Sequence, residues 1–399
     1  VALLGLTRVL PPADAFAAFG SSAVFFILGV FILAAALIHS GLSKRLALLF
    51  LVRFGRTPHR LAFGMMLAAA VTTTFMPAQA TCAMLFPIAF EIARAMRLPA
   101  GHSAYGKILF LSLAWGAMVG SNASFLGSTR APLALGMLHN AHGMAISFGQ
   151  WMLAALPLVV GGVLFTPLIL RRLFRHDAVD AASAHASLAA AVAALGPIGA
   201  RQLRVAAITL ATIAAWILLG ARVDLAIIAI LSAGLLFATR TLRWEELDGY
   251  IHWNIVLMYG GAIALGVAID RTGAAQWVVD ATVGPIHVPA YVAITGLAIA
   301  TLILSEFMSN AAAVAVMLPL AFSLGAPLGV SPQALVLATS IGGGLAFTLP
   351  ISSAPNAIAF ASGYLDMTDY LRAGLLMTIA SIILLLAVAA VWWPLIGIL

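Results

Sequence analysis

The stretch Phe75-Met-Pro-Ala-Gln-Ala-Thr-Cys-Ala-Met-Leu-Phe-Pro-Ile-Ala-Phe90 decides how this chain is read. Its frame returns without a gap in Phe307-Met-Ser-Asn-Ala-Ala-Ala-Val-Ala-Val-Met-Leu-Pro-Leu-Ala-Phe322. Both open on Phe-Met, carry a proline at the same place and close on Ala-Phe, at an offset of 232. Gly41 and Gly273 keep that offset. Further on, Gly120…Ala131-Pro132 matches Gly343…Ala354-Pro355 at an offset of 223, so one connecting loop is nine residues shorter. The repeated stretches lie in long apolar segments, 61–96 and 291–324. The first is broken at Pro77 and Pro87, the second near Ser309.

The surroundings are those of a membrane protein. Apolar residues make up 63% of the 399 and charged residues 8%, against about 25% charged in soluble domains. Such a chain is counted in spans of about 20 residues rather than in soluble domains. The net charge of +7 does not point to nucleic acid: no basic cluster interleaves with aromatics, and loop Lys and Arg follow the positive-inside rule. The single cysteine, Cys82, allows no internal disulfide and reads as a buried core thiol, since no basic residue adjoins it. Residues 1–6 read as the tail of a helix, without the basic start or cleavage site of a signal peptide.

Complete spans are expected at 22–38, 107–138, 148–170, 205–219, 225–238, 255–269, 334–361 and 373–398. An Ala- and Ser-rich linker at 176–200 has room for one surface helix. The basic residues fix the orientation. If 61–96 and 291–324 enter the membrane and return, those at 44–60, 94–107, 171–175, 201–204, 240–243 and 372 all face the cytoplasm. Arg8, Arg222 and Arg271 face out, and Arg130 stays in the membrane. Were either segment to cross, the charges beyond it would change sides. The fold class expected is therefore an all-α polytopic membrane protein of two inverted repeats with re-entrant hairpins and broken helices. The first repeat is 1–175 with its hairpin at 61–96, and the second is 201–399 with its hairpin at 291–324. The C-terminus lies outside. Inverted repeats are a common build of secondary transporters.

Irregular backbone at membrane depth survives only where protein buries it or it lines a cavity. Four breaks rich in Gly, Ser, Asn and Pro occupy corresponding places in the halves: Pro77 to Thr81, Gly120 to Pro132, Ser309 to Ala311, and Gly342 to Asn356. Broken helices offer free N–H groups to an anion, and their carbonyls and hydroxyls suit a small cation. Arg130 is the clear intramembrane cation and a functional candidate for that reason. It is expected to attract an anionic substrate or to pair with a carboxylate. Glu306, one turn before Ser309-Asn310, is a candidate for proton relay, for neutralising Arg130, or for a partly wet position on the hairpin arm. No metal-ligand spacing and no Gly-x-Ser-x-Gly occurs, so an embedded hydrolase lacks its signature. The polar residues cluster in mid-membrane rather than along a continuous pore, which argues against a channel.

On these residues the chain resembles the divalent anion:sodium symporter family, the SLC13-like permeases, from Ser22 onward. Ser309-Asn310-Ala311 is similar to that family's Ser-Asn-Thr tip. Trp253-Asn-Ile-Val-Leu-Met-Tyr-Gly-Gly261 resembles the segment before the second hairpin. Pro355-Asn-Ala-Ile358 and Ser362-Gly363…Asp369-Tyr-Leu-Arg-Ala-Gly374 are also similar. The resemblance implies a homodimeric elevator-type carrier of dicarboxylates, tricarboxylates or sulfate, with sodium as coupling ion and no other cofactor. It places substrate contacts at Gln79, Ser121, Asn122, Ser128, Thr129, Ser309, Asn310, Ala311, Ser353, Pro355 and Asn356, to which the charge of Arg130 adds a further expected anion contact. It places sodium contacts at Ser309, Asn310, Ala346, Thr348 and Pro350, with Glu306 as a coupling candidate. Two departures stand out: Ala311 replaces the threonine, and Pro77-Ala78-Gln79 stands where the first Ser-Asn-Thr would be. The expected function is sodium-coupled symport of a small anion in a bacterial inner membrane, with lipid as the other partner. The alternative is a proton-coupled carrier or exporter of the wider ion-transporter superfamily.

Overall fold

A computed structural model describes residues 1–175, 179–220, 222–277 and 289–398, apart from the side chain of residue 326. The start of the expected linker, 176–178, lies outside the described residues. So does 278–288, which follows the helix that precedes the second hairpin. No strand occurs among the described residues.

Two short N-terminal helices, α1 (Ala2–Leu6) and α2 (Pro12–Ala17), lead into α3 (Ser22–His39) and α4 (Leu42–Phe54). The first repeated unit is α5 (Pro58–Thr73), α6 (Ala78–Ala95), α7 (Ala104–Gly120) and α8 (Arg130–His142). Then come α9 (Phe148–Leu173), α10 (Ala182–Ala194), α11 (Ala200–Leu219), α12 (Leu225–Ala238) and α13 (Trp253–Thr272). The second unit is α14 (Ala290–Phe307), α15 (Asn310–Leu328), α16 (Pro332–Gly342) and α17 (Ala354–Phe360). It is followed by α18 (Met367–Ala387), which runs through a wide turn at Val388–Trp392 into α19 (Trp393–Leu395). Helix α4 sits between two expected segments; its three basic residues, Lys44, Arg45 and Arg53, hid it from the hydropathy reading.

Local chemistry sets the boundaries. Thr57 caps α5 by accepting from the Arg60 N–H, with Pro58 at the first helical position. Ser147 and Gln150 form a capping box on α9, as Asp366 and Asp369 do on α18. Gly41 and Gly273 both adopt the left-handed conformation, with φ of 72° and 67°. The sequence repeat thus places a glycine at a matching turn after α3 and after α13.

The hairpins follow from packing direction. Gly116 of α7 meets Met66 of α5, and Gly120 meets Ala70, so α5 and α7 run parallel. Along α6, Cys82 reaches the Leu113 carbonyl, while Phe86 and Phe90 pack on Phe110, so α6 runs the other way. The chain therefore turns back between Thr73 and Ala78. In the second unit α14 and α15 pack on each other and both lie along α16. Gly325 approaches Leu335 while Gly343 approaches Asn310, which makes α15 and α16 antiparallel. The second turn-back is at Met308–Ser309.

Among the described residues, six helical stretches are long and apolar enough to cross a membrane: Pro12–His39, Phe148–Leu173, Ala200–Leu219, Trp253–Thr272, Ala290–Phe307 and Met367–Leu395. Helix α14 is one of these, and α15 packs back along it. Large apolar side chains face outward on the long helices, as at Leu164, Leu210, Leu218 and Ile383, a surface that suits lipid rather than water.

The broken helices exchange partners between the halves. Helix α8, the far part of the first broken helix, packs on α15 and α16; α17, the far part of the second, packs on α6 and α7. The segments 121–129 and 343–353 are therefore brought against each other in the interior, and most of their residues are buried.

Candidate functional site

Each hairpin tip is fastened to the break of its own half. The Ser124 hydroxyl donates to the Thr74 carbonyl at 2.6 Å, and the Ala78 N–H donates to the Gly127 carbonyl at 3.1 Å. In the second half the Ser305 hydroxyl lies 2.8 Å from both Asn310 Oδ1 and the Gly343 carbonyl. Helix ends come this close because α7 and α16 finish on glycine. A Cβ on Gly120 would stand 2.3 Å from the Ala70 carbonyl oxygen, and one on Gly342 would stand 2.6 Å from Ala298 Cα.

Arg130 opens α8 and is 5% exposed. Its Nε donates to the Ser340 carbonyl at 2.7 Å, near the end of α16. Its Nη2 donates to Ser121 Oγ at 3.1 Å and to Asn122 Oδ1 at 2.7 Å, just past the end of α7. Nη1 enters none of these bonds. Every acceptor is uncharged, and among the described residues Arg130 forms no ion pair. Of its two expected roles, attraction of an anion fits these contacts and pairing with a carboxylate does not. Gly344 lies flat against the guanidinium: a Cβ there would be 2.1 Å from Nη2 and 2.5 Å from Cζ. Asn122 is held on all sides. Its Nδ2 donates to the Met118 carbonyl at 3.1 Å, and its own carbonyl accepts from Trp151 Nε1 at 3.0 Å.

Glu306 is 7% exposed, and no ion pair joins it to Arg130. One oxygen accepts from the Thr348 N–H and the other from the Leu349 N–H, each at 2.9 Å. The carboxylate thus satisfies two consecutive backbone donors of the second break, the part an anion would otherwise play at free N–H groups. Neither the neutralisation of Arg130 nor a wet position on the arm describes it.

The other expected residues are scattered around this crossing. Gln79 is exposed on the first tip, with Pro77 buried and Ala78 half-buried beside it. Ser128 is buried; Thr129 precedes α8, and its carbonyl accepts from the Tyr259 hydroxyl of α13. Ser309 caps α15, accepting from the Ala312 N–H at 3.3 Å, and Ala311 is buried in that helix. Ser353 caps α17 and lies 3.4 Å from Met118 Sδ, with Pro355 buried in the first turn. Asn356 Nδ2 reaches the Ala346 and Leu349 carbonyls, each at 3.3 Å, and Ser352 Oγ at 3.1 Å. Its Oδ1 is buried and unpartnered, as is Ser340 Oγ. Thr348 Oγ1 lies 3.4 Å from Thr378 Oγ1, and Pro350 opens a short turn ending at Ser352. Asn310 meets the second break at Gly343 through Ser305; Thr348 meets the hairpin through Glu306.

Sequence reasoning passed over Ser305, Ser340, Gly344 and Tyr259. The triple glycine at 342–344 signals a close approach, and Tyr259 lies in the quoted Tyr-Gly-Gly segment. Nothing local marks Ser305 or Ser340. Carbonyls, hydroxyls and amide oxygens dominate the crossing. Among the described residues no three His, Cys, Asp or Glu side chains gather as a transition-metal site would require.

Comparison with known proteins adds sequence kinship to this geometry. The sodium:sulfate symporter transmembrane region family matches residues 2–399. A sodium-dependent dicarboxylate transporter, SdcS, of Staphylococcus saprophyticus is 25% identical over 412 residues, 97% of this chain and 79% of that protein. The SdcS of Staphylococcus aureus is 25% identical over 422 residues, 99% of this chain and 81% of that one. Among solved structures, the YdaH transporter of Alcanivorax borkumensis superposes with a TM-score of 0.59 at 17% identity. The match covers 99% of this chain and 88% of that one, a likeness of fold.

Proposed function

The chain belongs to the sodium:sulfate symporter family, and from that premise we propose that it is a sodium-coupled symporter of a small anion of the dicarboxylate or sulfate type. The family is one of transporters, not enzymes, and with its apolar helices the chain is an integral membrane protein. The observation that carries the reading is Arg130, a buried guanidinium held only by neutral oxygens where the two breaks cross. A positive charge without a counter-charge in low dielectric attracts an anion strongly, and Nη1 remains outside its bonds to protein.

The anion binds between the tips and the breaks, with Arg130, Ser121, Asn122, Asn310 and Asn356 nearest to it. Sodium binds on the side of the second tip, among Ser309, Asn310 and the carbonyls of the second break, where Asn310, Ser305 and Gly343 supply oxygens. The N-terminal repeat, 1–175, and the C-terminal repeat, 201–399, have opposite orientations in a bacterial inner membrane, with the linker inside and the C-terminus outside. The distribution of Lys and Arg supports this orientation. The carrier works as a homodimer, its hairpins and broken helices moving as one body past the remaining helices. Glu306 accepts from two backbone N–H groups, which favours a fixed structural carboxylate over a proton relay.

The test is counterflow in proteoliposomes with succinate, citrate and sulfate, with sodium or with choline. Uptake of at least one of these anions, saturable and dependent on sodium, is expected. Movement of none under any ion gradient would overturn the proposal.

A further inference from the structure

We propose that Arg130 is a built-in cation that takes the place of one coupling ion, so that each anion travels with a single sodium. This rests on the reading of the chain as a sodium-coupled carrier and concerns how its charge is supplied.

The acceptors around the guanidinium are a backbone carbonyl, a hydroxyl and an amide oxygen, those of Ser340, Ser121 and Asn122. Two of them follow the C-terminal end of α7, and the third lies in the last turn of α16. Helix C-termini carry partial negative charge, and unwound carbonyls at half-helix ends are the groups that hold sodium in transporters built this way. The cage is thus made of the ligands of an alkali cation, and a tethered cation fills it. Ser340 carries a further oxygen, a fully buried hydroxyl without a partner. The loop at Gly344 comes so close to the guanidinium that no side chain fits between them.

The neighbouring hairpin tip supports the same reading. Pro77 and Ala78 have no side-chain oxygen, and Gln79 is exposed. On the other side of the crossing, Asn310, Ser305 and Gly343 converge with no basic side chain among them. One half therefore keeps an oxygen cluster for a free ion, while in the other Arg130 occupies the cluster. A tethered charge cannot dissociate, so it takes no energy from the sodium gradient.

The experiment measures the limiting accumulation of whichever anion moves in counterflow. Proteoliposomes hold a tenfold sodium gradient and are clamped at zero potential with potassium and valinomycin. Each sodium moved with the anion multiplies accumulation by the gradient, so one sodium gives about tenfold and two about a hundredfold. Wild type is expected near tenfold. Arg130→Ser, which empties the cage and leaves an oxygen in it, also removes a charge that faces the anion, so its sodium binding is read without transport: its melting temperature should rise more in sodium over choline than that of wild type. A wild-type ratio near a hundredfold would overturn the inference, and so would an Arg130→Ser whose rise in sodium is no larger than that of wild type. Should that variant fail to fold in any sodium concentration, the wild-type ratio decides alone. Loss of all sodium dependence in wild type would instead sink the underlying carrier reading.

Discussion

Replacing Gly344 by alanine tests the crossing of the two breaks without touching a charged residue. The new methyl would stand 2.1 Å from Arg130 Nη2, 2.5 Å from Cζ and 2.9 Å from Nε. Carbon atoms in contact need about 3.5–4.0 Å, so guanidinium or loop must move by more than about 1 Å. The loop is poorly placed to yield. Gly343 is tied to Ser305, and Thr348 and Leu349 are tied to Glu306. The guanidinium therefore moves, and a shift of that size carries its bonds of 2.7, 3.1 and 2.7 Å beyond the working range of about 3.2 Å. Stripping a buried charge of its partners costs about 3–5 kcal/mol. Referred to the binding-competent state, that corresponds to a loss of roughly two to three and a half orders of magnitude in uptake. The assay is initial uptake at sub-saturating anion in proteoliposomes, with the thermal midpoint in detergent beside it. Gly296→Ala on α14 is the control, since a Cβ there meets nothing within 4 Å. If Gly344→Ala keeps uptake within about twofold of wild type, Arg130 is not held where these contacts place it.

Three further outcomes are expected. Glu306→Ala leaves the Thr348 and Leu349 N–H groups unpaired, at a cost of about 1–3 kcal/mol each, while Glu306→Gln keeps one acceptor; denaturation should rank them wild type, Gln, Ala, and equal midpoints for the two variants would refute the capping role. Gly120→Ala places a methyl 2.3 Å from backbone of Ala70 and should destabilise by about 1–3 kcal/mol, so an unchanged thermal midpoint would deny the close approach of α5 and α7. The hydrogen bonds from the Arg201 guanidinium, with that from the Arg243 N–H, hold the Glu246 carboxyl below the usual carboxylate range. Its contribution is then fully present above about pH 4.3, the unfolded value, and is lost as pH falls through the depressed folded value. The pair is partly exposed, which limits the effect to under about 1 kcal/mol; the gap between wild type and Glu246→Gln should close in acid, and a gap that widens there would reverse the sign.

The hairpins and breaks were legible because they are written in local chemistry. Pro77, Pro132 and Pro355 stand at the N-cap or first turn of α6, α8 and α17, where a proline opens a helix, and Gly120 and Gly342 end helices that touch other backbone. Helix α4 was missed because Lys44, Arg45 and Arg53 dilute its apolar face. The partners of Glu306 were not legible, because they are backbone N–H groups some forty residues away, and backbone leaves no trace in composition.

The sequence by itself determined that the chain is helical, apolar and repeated, and that Gly, Ser and Asn interrupt its helices at matching places. Those properties depend on residues a few positions apart, and hydropathy and the positions of Pro and Gly carry them. What Arg130 and Glu306 do is settled only by the packing of distant segments. Arg130 finds Ser340 across 210 positions of chain, and Glu306 closes on the second break instead of on Arg130. A charge inside the protein must be satisfied by whatever oxygen or N–H the packing brings to it. Here the packing brings neutral oxygens to Arg130, leaving its charge uncompensated where the repeats meet.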